Sequence, residues 1–105
     1  MLSFIKKIFT KGPVTDYKKL YQDGARIIDV RSAAEFKEGH IPGAVNIPLE
    51  RVGNQLAALK ATRKPIITCC RSVSRSAMAK RILGAQGLEV YNGGGWSSLY
   101  GKIKG

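Results

Sequence analysis

The stretch Pro65-Ile66-Ile67-Thr68-Cys69-Cys70-Arg71-Ser72-Val73-Ser74-Arg75-Ser76 decides the architecture. Proline can begin a strand but cannot donate within one, so the apolar run after Pro65 reads as a buried strand bounded on its left. A short cationic loop follows, opening on a thiol. Beyond it, Ser76-Ala77-Met78-Ala79-Lys80-Arg81-Ile82-Leu83 is made of good helix formers and runs out at Gly84 or Gly87. A cysteine at the carboxyl end of a strand, just before a helix, meets unpaired backbone N–H groups and the positive end of the helix dipole. Arg71 and Arg75 add fixed positive charge on either side. These effects favour the ionised thiol, so Cys70 reads as a nucleophile. The arginines and serines around it argue against an inert, buried cysteine.

Working outward, the chain of 105 residues is one small domain with a single core, and 44 % apolar residues suits a folded globule. No apolar run is long enough to cross a bilayer. The two cysteines are neighbours and cannot staple distant segments, which points to a reducing compartment, the cytoplasm, and to thiol chemistry. The net charge of +11, from 18 Lys and Arg against 7 Asp and Glu, draws anions in general. Nucleic acid is disfavoured, because no basic helix, zinc-finger spacing or aromatic-arginine cluster occurs. One histidine and two adjacent cysteines do not give metal-site spacing either.

In chain order, residues 1–12 form an amphipathic segment distinct from the domain at 13–105. On a helix, Leu2, Phe4, Ile5, Ile8 and Phe9 share an arc of roughly 160° opposite the lysines. Packing on the domain's own core is favoured over lying on a membrane surface. Val14-Thr15 reads as a short edge strand, with Thr15 or Asp16 capping a helix through Tyr17, Leu20 and Tyr21. Ala25 to Val30 has the composition of a buried parallel strand. Ser32 and Glu35 make a capping box for a short helix that Gly39 stops. Val45-Asn46-Ile47 is a brief strand, and Leu49 to Ala61 a helix weakened at Gly53. Leu88 to Tyr91 is the last strand. Asn92-Gly93-Gly94-Gly95 is expected to need glycine's permissive backbone, and a terminal helix then starts at Trp96, which should plug the core. Strands alternating with helices imply an α/β fold with a mostly parallel sheet, whose ligands sit beyond the carboxyl ends of the strands. Cys70 falls there.

Several separated pieces now agree. Asp29-Val30-Arg31, Glu35-Phe36, the run Gly39-His40-Ile41-Pro42-Gly43-Ala44-Val45-Asn46-Ile47-Pro48-Leu49, the cysteine-led loop ending in arginine, and the late Gly-Gly and Trp together resemble rhodanese domains. The resemblance covers about residues 14 to 101. It implies a five-stranded parallel sheet flanked by helices, and an active-site cysteine that carries a persulfide with no separate cofactor. It also implies sulfur transfer from thiosulfate or another sulfane donor to cyanide or a thiol. A small anionic donor is therefore the expected ligand, a sulfur-relay protein the expected kind of protein partner, and a monomer the expected state. Four residues separate Cys70 from Arg75, the spacing of the sulfurtransferase loop. Phosphatases and arsenate reductases on this fold use a loop one residue longer, and Ser76 at that next position has no guanidinium fork for a phosphate.

The sequence departs from Cys-x-x-Gly-x-Arg at Val73. A β-branched residue is strained at positive φ, so the loop is expected to be arranged differently if that conformation is needed. Cys70 is the expected catalytic residue, and Arg71, Ser72, Val73, Ser74 and Arg75 the expected substrate-binding loop. Strand alternation turns Cys69 to the opposite face. His40 reads as a structural hydrogen-bonding residue, and Asp29 with Arg31 as an ion pair pinning loops. A non-catalytic module that binds a partner protein is the rival reading.

Overall fold

The computed structural model describes residues 14–104. The amphipathic segment expected at 1–12 lies outside the described residues. The elements are α1 (Tyr17–Gln22), β1 (Arg26–Asp29), α2 (Ala33–Lys37), β2 (Val45–Asn46), a 3-10 helix (Leu49–Gln55), α3 (Leu56–Thr62), β3 (Ile66–Cys70), α4 (Val73–Gly84), β4 (Val90–Gly95) and α5 (Trp96–Ile103). Among the described residues the strands form one sheet in the order β2-β1-β3-β4, and every pairing is parallel. No helix described is long and apolar enough to cross a membrane.

The sheet thus has four strands among the described residues, not five. Val14 and Thr15 make no strand because the next residue, Asp16, is committed to α1: its carboxylate accepts from the Lys19 N–H at the helix start. Val14 is left 92 % exposed.

Both faces of the sheet are covered, and the pleat assigns successive residues to opposite sides. Ile28, Ile66 and Cys70 pack with Val52, Leu59, Ala79 and Leu83 on the side of α3 and α4. Ile27, Ile67 and Cys69 pack with Leu99 and Ile103 on the side of α1 and α5. The helix expected over 49–61 is split, a 3-10 segment up to Gln55 giving way to α-helix at Leu56, three residues after the weak point at Gly53. Val52 and Leu59 are buried, one from each piece.

The last strand runs further than its composition predicts. The glycines continue β4 instead of turning away from it. Thr68 pairs with Asn92 and Cys70 with Gly95, so two steps on β3 face three on β4. This is a bulge, taken up at Gly94 with φ of 77°. The Asn92 side-chain oxygen accepts from the Gly94 N–H at 2.9 Å and holds it. Gly93 answers a second need. A Cβ there would stand 2.7 Å from the Thr68 carbonyl oxygen and 2.8 Å from both Ile67 Cγ2 and Leu99 Cδ2.

Gly93→Ala should therefore destabilise the protein by about 1–3 kcal/mol, the cost of overpacking a tight core. Gly53→Ala, where a Cβ meets nothing within 4 Å, should be neutral or stabilise by up to about 1 kcal/mol. Urea unfolding of the two variants beside the parent measures both.

Candidate active site

The site lies at the carboxyl ends of β1 and β3. Its frame is a buried ion pair. Asp29 ends β1, and the Arg31 Nε donates to its two oxygens at 2.9 and 3.1 Å, with Nη2 at 2.7 Å from Oδ2. Arg31 also reaches the carbonyls of Glu35 and Gly39 at 3.2 and 2.7 Å, and its guanidinium lies 4.5 Å from the Trp96 ring centroid. The Asp29 hydrogen bonds, opposed by burial, raise the Arg31 pKa. Trp96 is half-buried: it packs against the core around Ile27, Ile67 and Leu99, and it is also the stacking wall for this arginine. His40 is held through Nδ1 on the Phe36 carbonyl at 2.8 Å and stacks on the Phe36 ring at 3.7 Å.

β3 delivers the two thiols. Cys69 points to the α5 side and Cys70 to the α4 side, and both are fully buried. Burial pushes the Cys69 thiol well up, with Asp29 adding in the same direction, so this residue stays a neutral core group. Cys70 faces Arg75, whose Nη1 lies 3.6 Å from its Sγ. That burial departs from the exposed surroundings expected for this thiol, because the segment after it folds directly into helix and covers it.

The helix begins three residues earlier than its composition predicts, at Val73. Ser72 supplies the cap, accepting from the Arg75 N–H at 3.4 Å. Val73 is helical and not at positive φ, so a β-branched residue there carries no backbone strain. It is 62 % exposed and stands over Gly94, where an added Cβ would lie 3.5 Å from Val73 Cγ2. Ser74 Oγ is 3.4 Å from Ser72 Oγ at the same helix start. Arg71 turns away from the thiol. Its Nη1 meets Glu35 Oε2 at 3.4 Å, across 36 residues of sequence.

Two side chains outside the expected set anchor this arrangement. Buried Ser76 bonds Thr68 Oγ1 at 2.8 Å and accepts from the Gly94 N–H at 3.4 Å, tying α4 to β3 and β4. Glu35 is the second. Its Oε1 lies 3.1 Å from both the backbone N–H and the hydroxyl of Ser32, completing the capping box. The Ser32 hydrogen bonds, and then Arg71, lower the Glu35 pKa. The Ser-x-x-Glu spacing flagged the cap, but nothing local flagged the link to Arg71.

Two clefts flank the loop. The polar one, about 290 Å³, is lined by Arg31, Glu35, Glu38, Gly39, Arg71 and Trp96. The apolar one, about 530 Å³, has Arg75 at its rim with Val30, Leu49, Met78 and Ile82 as walls.

Residues 13–101 match the family described as Rhodanese-like domain. The chain belongs to that family. It is 42 % identical over 82 residues to the uncharacterized protein YqhL of Bacillus subtilis, an alignment covering 76 % of this chain and 64 % of that protein. It is 35 % identical over 81 residues to the thiosulfate sulfurtransferase PspE of Escherichia coli, covering 74 % and 78 %. A solved structure described as rhodanese with anions from E. coli superposes with a TM-score of 0.65 at 32 % identity, over 70 % of this chain and 89 % of that one. The chain spans less than two thirds of the length of the YqhL protein, and a smaller share of two other curated relatives. Within this rhodanese-like domain the parallel sheet and flanking helices match those of its neighbours, and two of its curated relatives are named thiosulfate sulfurtransferase.

The Cys69 thiol gives a testable pH dependence. Its folded pKa is raised above the ordinary 9.0, so its contribution to stability is full below about pH 9 and is lost as pH climbs from there. Urea midpoints between pH 7 and 10.5 should fall less steeply in Cys69→Ala than in the parent, and parallel curves would contradict it.

Proposed function

We propose that this rhodanese-like domain moves sulfane sulfur through a persulfide on Cys70, from thiosulfate or a persulfide donor to cyanide or a thiol. The observation that carries the reading is the Arg75 guanidinium 3.6 Å from the Cys70 sulfur, at the carboxyl end of the inner strand β3 and the start of α4. The thiolate attacks the outer sulfur of thiosulfate, the S–S bond breaks with its electron pair, and sulfite leaves. The charge then rests on the outer sulfur of Cys70–S–S⁻. Arg75 and the first amides of α4 stabilise that anion. The acceptor takes the outer sulfur and returns the thiolate, a two-step covalent scheme. Arg71, Ser72, Val73 and Ser74 complete the proposed donor-binding loop.

Cys70 has no exposed surface, so the first turn of α4 has to yield to admit a donor. It is loosely held. The Arg75 N–H to Ser72 Oγ and the Ser76 N–H to Ser72 carbonyl hydrogen bonds are both 3.4 Å, beyond the usual range for such bonds. Ser76 is buried against Thr68 and supplies no cation, which argues against phosphoryl chemistry at this loop. The covered thiol also favours a second reading, a partner-binding module that uses the exposed surface around Val73. Two unbridged cysteines suit a reducing, cytoplasmic setting.

After incubation with thiosulfate and removal of the excess, the intact chain should gain the mass of one sulfur atom. Cyanide should remove it, Cys70→Ser should never acquire it, and Cys69→Ala should acquire it normally. Arg75→Ala should load about 10²-fold more slowly, the usual loss for one anion-stabilising donor. No gain from thiosulfate or any persulfide donor would leave the binding module as the function.

A further inference from the structure

Of the two loop guanidiniums, one faces the thiol and the other is held by a carboxylate. The carboxylate cannot follow it. Glu35 Oε1 is fixed by the Ser32 N–H and hydroxyl at 3.1 Å each, while Oε2 meets Arg71 Nη1 at 3.4 Å. Arg71 itself has a side chain 77 % exposed, and it follows Cys70 directly in sequence. An anion approaching the loop therefore competes with a stationary internal anion for this arginine. It also feels the repulsion of that carboxylate from the rim of the polar cleft.

Resting on the sulfurtransferase reading, we propose that Glu35 is a specificity-determining residue that restrains dianionic donors by holding Arg71 away from the loop. A donor of two charges, such as thiosulfate, gains most from a second guanidinium and is repelled most by Glu35. An organic persulfide of at most one charge gains and loses least. Glu35 thus tilts the loop from small inorganic dianions toward organic persulfides.

The substitution Glu35→Gln isolates the charge, because glutamine also serves at the N3 position of a capping box and keeps α2 capped. Thiosulfate binding is measured by calorimetry on Cys70→Ser, where no chemistry occurs, at about 20 mM ionic strength so that screening stays weak. Adding Glu35→Gln should tighten the dissociation constant about two- to fivefold, the range expected for releasing an exposed ion pair. Adding Arg71→Gln to that pair of changes should remove the gain. In the Cys70-containing chain, Glu35→Gln should speed sulfur loading from thiosulfate and leave loading from a cysteamine persulfide within twofold. Unchanged thiosulfate binding in Glu35→Gln, a gain that survives Arg71→Gln, or an equal gain for both donors would each overturn the proposal. Tighter binding that depends on Arg71, in a chain that never loads sulfur, would uphold the role of Glu35 in anion selection and sink the transfer reading alone.

Discussion

Taking a carboxylate and a guanidinium out of water costs several kcal/mol per ion, and one removed partner leaves the other uncompensated. Asp29 and Arg31 meet that cost by near-complete pairing. The carboxylate receives the Arg31 backbone N–H, Nε and Nη2, and the guanidinium reaches on to two carbonyls and an indole face. Four pieces of chain are clamped at one point: the end of β1, the last turns of α2, the turn at Gly39 and the start of α5. The clamp sets the carboxyl edge of the sheet, and the rest of the site is hung from it. Asn46 adds to it from β2, donating to the carbonyls of both Asp29 and Arg31 at 3.0 and 2.9 Å.

Against that edge, a single residue of offset separates two identical side chains into two fates. Cys69 is turned to the α5 side, where burial and the Asp29 charge keep it neutral. Cys70 is turned to the side where a helix begins and where Arg75 comes down over the sulfur. The bulge in β4 contributes by bringing Gly95 beside Cys70, so that the backbone of β4 passes under the loop. The pleat of one strand thus gives the two thiols different surroundings, and the side proposed to be reactive is the one that carries a cation.

Much of this was legible from residue order alone. Apolar, β-branched composition before Val30 and after Pro65 identified two buried strands, and Ser32 with Glu35 marked a helix start to the residue. The position of the thiol at a strand end followed from proline on one side and helix formers on the other. What stayed hidden depended on partners distant in sequence. Glycine composition argues against a strand, yet Asn92 to Gly95 is one, because β3 pairs with it and Gly93 alone fits over the Thr68 carbonyl. Among three serines near the loop, only tertiary placement decides that Ser72 caps α4 and Ser76 is buried on Thr68. Arg71 reads locally as a second anion ligand for the thiol, and it is a residue 36 positions earlier that draws it off.

The central claim is that the sulfur-bearing atom is Cys70 Sγ under Arg75. A crystal structure of the protein soaked in thiosulfate tests it most directly. The account predicts one added sulfur atom about 2.05 Å from Cys70 Sγ, the length of an S–S bond, with Arg75 turned toward it and Cys69 unmodified. Both thiols unmodified, or the added sulfur on Cys69, would contradict the account.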